Sequence, residues 1–270
     1  MKKSKGMRSK AVISNPVYCY EMDEDVNILR NAEAAPVVQQ IYQICSAGIG
    51  TSKIALEMDP KTLWDMYSAL GFGRAPEVEL PGAASGRLRP AKSWRPIEQA
   101  TISYGHGISV SLLQLVRAYT ALARNGDVIN LTFKRSAAPA QGTQIFRPEV
   151  ARQMRSMMTQ TGQAGGTARR VSVEGYTIAG KTGTANKIEN GEYVDKYVAS
   201  FVGMAPAGQP RIIVAVMVDE PTAGSHYGGT VAAPVFNEVT ASALQLIGVH
   251  PDALNFGAAP GILVKGLRND

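Results

Sequence analysis

Residues 176–218 hold three strand candidates in succession, and they constrain the fold more than any other part of the chain. The first is Tyr176–Thr184, the second Tyr197–Gly203 and the third Arg211–Val218. Asn190-Gly191 is a hairpin-type turn pair, which sets the first two strands antiparallel. The third is a continuous apolar run, Ile-Ile-Val-Ala-Val-Met-Val, and reads as a strand buried on both faces. Helical patterns stand on either side of this block. Ile54 to Gly71 is helical with a break at Asp59-Pro60, where proline suits a first turn. Phe72 to Pro96 is rich in glycine and proline and reads as a loop. Ser109 or Ser111 caps a helix that runs to Arg124, with Leu112, Leu115, Val116, Tyr119, Leu122 and Ala123 as its buried stripe. Asn125-Gly126 ends it. Pro148–Gln160 is a second amphipathic helix, with Val150, Met154, Met157 and Met158 as apolar positions. Val231–Ile247 is a closing helix. The pattern predicts an α+β fold.

The chemistry is concentrated at the end of the first strand, in Lys181-Thr182-Gly183-Thr184. A Lys-Thr-Gly after a short apolar run is what a serine acyl-transfer site uses as its back wall, although the four residues alone fit a turn with a solvated lysine equally well. Lys181 places a cation near a substrate carboxylate and near a nucleophile's proton relay. Thr182 and Thr184 offer hydroxyls to the same carboxylate. Gly183 lets a ligand backbone lie close along the strand. The residue after it, Thr184, can aim its N–H into an oxyanion hole.

The flanking sequence resembles a known family. Trp94-Arg-Pro-Ile-Glu-Gln-Ala-Thr-Ile-Ser-Tyr-Gly-His-Gly107, continuing to Gly126, is similar to the transpeptidase domain of class B penicillin-binding proteins. The septal D,D-transpeptidases of Gram-negative bacteria resemble it most. Phe201-Val-Gly-Met-Ala-Pro206, Val218-Asp-Glu-Pro221 and Tyr227-Gly-Gly-Thr-Val-Ala-Ala-Pro-Val-Phe236 follow in the family's order. The resemblance runs from about Gly50 to about Val249. It implies a penicillin-binding/β-lactamase-like antiparallel sheet flanked by helices. It also implies cross-linking of peptidoglycan stem peptides through an acyl-serine intermediate, which β-lactams trap, and divisome proteins as partners. Three motifs surround the family's cleft: Ser-x-x-Lys, Ser-x-Asn and Lys-Thr-Gly. No serine in the 270 residues has a lysine three positions later, so the first is absent. The second falls in register on Ser46-Ala47-Gly48, where glycine offers no side-chain amide in place of asparagine; Ser46 is a weak catalytic candidate. Lys181, Thr182 and Gly183 complete the third. Tyr227 and Gly228 match a family loop at the ligand pocket. In the family, two of five strands precede the nucleophile helix, so the sheet here is expected to be incomplete and its Arg211–Val218 edge exposed. The fragment is then expected to be only partly stable, and removing a hydrolase's nucleophile can cost about a million-fold in turnover.

The first 53 residues read differently. Pro16-Val-Tyr-Cys-Tyr20, Asp23-Glu-Asp25 and Asn31 to Ala55 resemble the segment after the catalytic domain of large serine recombinases. Cys19 stands where that family usually has glycine. Val37, Val38, Ile41, Tyr42 and Ile44 form a helical stripe that Gly48 and Gly50 close. The two resemblances meet at Gly50-Thr-Ser-Lys-Ile-Ala55, as a chimeric join would give. The division is thus 1–53 recombinase-like, 54–249 transpeptidase-like and 250–270 a flexible tail. DNA is a partner only on the recombinase reading. The net charge of +6 comes partly from a basic tail, because five of the first ten residues are Lys or Arg. Such a tail is more often solvated than a nucleic-acid arm.

Other candidates carry less. Cys19 and Cys45 have no metal-ligand spacing and suggest no disulfide. The three histidines are scattered, which supports no metal site or cofactor. His106, in Tyr104-Gly-His-Gly107, reads as a loop residue, and Asp219-Glu220 as structural. No apolar run is long enough for a membrane helix or a signal-peptide core. The family is membrane-anchored and works outside the cytoplasmic membrane. As written, this chain would stay in the cytoplasm.

Overall fold

A computed structural model describes residues 47–253, apart from 137, 164, 190, 191 and 223. Ser46, the two cysteines, the helix expected over 37–44 and most of the expected tail lie outside the described residues. The first elements are helices α1 (Ala47–Glu57), α2 (Pro60–Ala69), α3 (Pro96–Ile102) and α4 (Leu112–Ala123). A small antiparallel pair follows, β1 (Asp127–Ile129) with β2 (Gly142–Gln144). After helix α5 (Pro148–Thr159) come strands β3 (Ala179–Glu189), β4 (Glu192–Ala205) and β5 (Ile212–Asp219), and finally helix α6 (Gly228–Leu246).

The break between α1 and α2 falls where Asp59-Pro60 predicts it. Asp59 is the N-cap, its carboxylate accepting from Thr62 N–H at 3.0 Å. Gly48 and Gly50 do not close a helix. They lie in the first turn of α1, which runs unbroken across the expected boundary at residue 53. Glycine is tolerable there because a first turn has few intrahelical bonds to support. Ala55 of α1 packs with Leu63 and Ile102 in a buried cluster.

Ser111, not Ser109, caps α4, with Gln114 completing a capping box. The deepest face of α4 is also not the apolar stripe. Gln114, Ala118 and Ala121 are buried, whereas Leu112 is exposed. The reason is polar. The Gln114 amide nitrogen lies 3.1, 2.9 and 2.8 Å from the carbonyls of Gly71, Arg74 and Ser85, pinning the loop after α2. Helix α5 repeats the pattern: Arg155 is buried and Met154 exposed. Arg155 donates to the carbonyls of Leu122 (2.6 Å) and Arg124 (3.0 Å) at the end of α4. It thereby satisfies acceptors that a helix end leaves open.

The main sheet has the order β3-β4-β5, all antiparallel. The hairpin is longer than the apolar pattern predicts: β3 and β4 stay paired out to Glu189↔Glu192. Tyr176 and Thr177 precede β3 instead of starting it. Thr177 is held by Asp252, whose carboxylate accepts from its N–H at 2.8 Å and its hydroxyl at 2.5 Å. These bonds, with Asp252 N–H to the Gly175 carbonyl at 3.0 Å, fasten the beginning of the expected tail.

Residues on alternate faces of the sheet meet different helices. Phe201 of β4 meets Phe236 of α6 edge to face, with centroids 4.7 Å apart at 72°. Ala232, Ala233, Val214 and Val216 complete that side. Met204 and Ile213 point the other way, onto Met158 of α5 and Tyr119 and Leu122 of α4. The β5 side chains are half-buried for the most part, and Met217 is 54% exposed. The strand expected to be buried on both faces is an edge of the sheet, with no neighbour beyond it among the described residues.

Candidate active site

The Lys-Thr-Gly-Thr stretch lies in β3, the other edge of the sheet. Register assigns its faces. Thr182 is opposite Phe201 and Thr184 opposite Ala199, so both hydroxyls stand on the α6 side. Lys181 is opposite Val202 and Gly183 opposite Ser200, on the α4/α5 side.

Thr182 and Thr184 are each tied to a neighbouring element. The Thr182 hydroxyl donates to Thr167 Oγ1 at 3.0 Å. Thr184 Oγ1 accepts from Gly228 N–H, the start of α6, at 3.2 Å. Thr184 therefore keeps its own hydroxyl proton for a ligand. Lys181 curls back over the strand. Its Nζ donates to the Thr182 carbonyl at 2.9 Å and to Thr182 Oγ1 at 3.3 Å. Lys181 as a whole has exposed surface. Its ammonium is nevertheless crowded by protein, and this desolvation lowers its pKa below 10.5. No carboxylate pairs with it among the described residues.

Glycine is required at two points here. A Cβ on Gly228 would sit 2.1 Å from the Ser200 carbonyl and 2.6 Å from that of Gly183, so the start of α6 rests directly on the sheet. A Cβ on Gly183 would sit 2.4 Å from Ser200 Oγ. The room at Gly183 is taken by β4, not left open for a ligand as the sequence suggests.

Thr182, Thr184, Tyr227 and Gly228 line one cavity of about 340 Å³, together with Arg169 and Arg170. Lys181 and Gly183 do not line it, although Lys181 reaches its edge through Thr182. Tyr227 is 45% exposed, and its neighbour His226 stacks on Tyr197 at 3.8 Å and 7°. His106 stands apart, touching the Tyr193 hydroxyl near the end of the β3–β4 hairpin. Asp219 and Glu220 pair with Lys187 at 3.0 and 2.7 Å, in an ion cluster that includes Lys196. Thr167, Arg169 and Arg170 escaped the sequence reading. Their only signal is a Gly-Gly-Thr turn followed by two arginines just ahead of a strand.

The result is a hydroxyl-lined, basic cavity against a Lys-Thr-Gly-Thr edge strand, chemically suited to a carboxylate. Residues 34–241 match the penicillin binding protein transpeptidase domain, and the chain belongs to that family. The match begins inside the stretch that resembled a recombinase. The probable peptidoglycan D,D-transpeptidase PenA of Neisseria flavescens is 41% identical over 229 residues, covering 84% of this chain and 56% of that protein. Peptidoglycan D,D-transpeptidase FtsI of Escherichia coli K12 is 38% identical over 213 residues, covering 78% and 36%. Among solved structures, the TP domain of Burkholderia pseudomallei penicillin-binding protein 3 shares 49% identity at a TM-score of 0.73, covering 78% of this chain and 65% of that one. The chain thus spans between about a third and just over half of these curated relatives.

Proposed function

We propose that this chain is the carboxylate-binding part of a peptidoglycan D,D-transpeptidase, serving septal cell-wall cross-linking. The observation that carries this is the pair of Thr182 and Thr184 hydroxyls on one cavity, with Lys181 Nζ 3.3 Å from Thr182 Oγ1. A stem peptide's terminal carboxylate, or that of a β-lactam, lies across these groups. Thr184 N–H serves as half of the oxyanion hole, and Tyr227 and Gly228 wall the ligand. The 270 residues contain no Ser-x-x-Lys, so they do not turn over substrate unaided. The transpeptidase unit includes residues 54–249, and its partners are peptidoglycan and the divisome. Its place of action follows the family, outside the cytoplasmic membrane, rather than the cytoplasm. Among the described residues no helix is long and apolar enough to cross a membrane.

Intact mass after incubation with a penicillin tests the catalytic half of this reading. The expected result is no added mass, together with reversible binding that weakens in Thr184→Val. An adduct mapped to one serine, Ser46 above all, would show that the chain holds a nucleophile after all.

A further inference from the structure

We infer that Arg169 and Arg170 form a second anion subsite, which makes the cavity selective for peptides carrying a further carboxylate besides the terminal one. This rests on the carboxylate-binding reading above and adds a specificity to it.

Four observations carry it. Both arginines line the same cavity as Thr182 and Thr184, and no Asp or Glu does. Both are exposed, and neither guanidinium forms a hydrogen bond or ion pair among the described residues, whereas Arg89, Arg124 and Arg152 all pair with carboxylates. The turn that bears them is tied down at its backbone. Ala168 and Val171, on either side, are buried in the core beneath α6, so the two residues between them are forced outward. Asn237 of α6 clamps the same turn, donating to the Arg170 carbonyl at 2.6 Å and accepting from Ser172 N–H at 3.1 Å. The backbone that carries the two arginines is therefore placed by the core, and no neighbouring acid holds their guanidinium groups. Two adjacent cations facing a cavity without a counter-charge repel one another until an anion arrives. Guanidinium forks suit a carboxylate, which they bind in bidentate fashion. The terminal carboxylate already has the threonine hydroxyls, so the arginines take a second one further along the peptide.

The test uses the whole chain and two peptides. Each peptide has a free C-terminal carboxylate. One carries an additional side-chain carboxylate, and in its twin that group is amidated. Calorimetry is expected to give about tenfold tighter binding for the dicarboxylate, equivalent to about 1.4 kcal/mol. The preference should shrink as salt is raised. Arg169→Ala/Arg170→Ala should abolish the preference, while Arg169→Lys/Arg170→Lys should restore part of it because the charge is retained. Unchanged circular dichroism guards against misfolding, and both side chains lie at the surface. Equal affinity for the two peptides, or a preference that survives the double alanine variant, would overturn the inference alone. If neither peptide bound, the carboxylate-binding reading would fall with it.

Discussion

At the scale of single residues, polar side chains decide more of the packing than the apolar pattern implies. Gln114 is wholly buried and serves three carbonyls from separate parts of one loop. Its Oε1 also accepts from Ser111 N–H at 2.8 Å. Leaving buried acceptors without partners costs about 1–3 kcal/mol per group. Gln114→Ala is therefore expected to lower stability by roughly 2–3 kcal/mol, read from the urea midpoint. Gln114→Leu should cost a similar amount, which separates lost hydrogen bonds from lost volume. A leucine variant as stable as the parent would mean that water replaces the amide.

At the scale of elements, helix ends carry much of the specification. Asp59 and Ser111 start their helices as residue type predicts, and Pro96 opens α3, a helix the sequence pattern did not predict. At α3, the Glu98 carboxylate accepts from Arg95 N–H at 2.8 Å and from the Arg89 guanidinium at 2.6 Å. The backbone bond first, and Arg89 second, hold its pKa down at about 2, against 4.5 ordinarily. A depressed carboxylate contributes stability above its unfolded pKa and loses it as pH falls through the folded value. The Glu98 contribution should thus be complete above about pH 4.5 and gone below about pH 2. Thermal midpoints measured between pH 5 and pH 2 should fall more steeply for the parent than for Glu98→Gln. Parallel curves would remove Glu98 from the acid response.

At the scale of the whole molecule, the sheet as described has three strands and leaves β5 as an apolar edge, with Met217 of that strand exposed. Such an edge templates pairing with another chain. Concentration-dependent association is expected in light scattering, and Met217→Lys should reduce it several-fold, since a charge on an edge strand opposes pairing. Association unaffected by this change would place the sticky surface elsewhere. The same scale separates what was legible from what was not. Strand and helix periods, the Asp59-Pro60 break and the Lys181–Thr184 motif follow from local chemistry, so the sequence alone located the hairpin, every flanking helix described except α3, and the candidate wall. It did not locate the cavity. Thr182 and Thr184 share a face by the two-residue period of any strand, but that face borders the cavity because Phe236 packs on Phe201 and brings α6 there. The same packing buries Ala168 and Val171 and sets Arg169 and Arg170 beside the threonines. Local pattern carries a period but not the identity of the partner across a face. That choice is made by long-range burial, which only the tertiary structure decides.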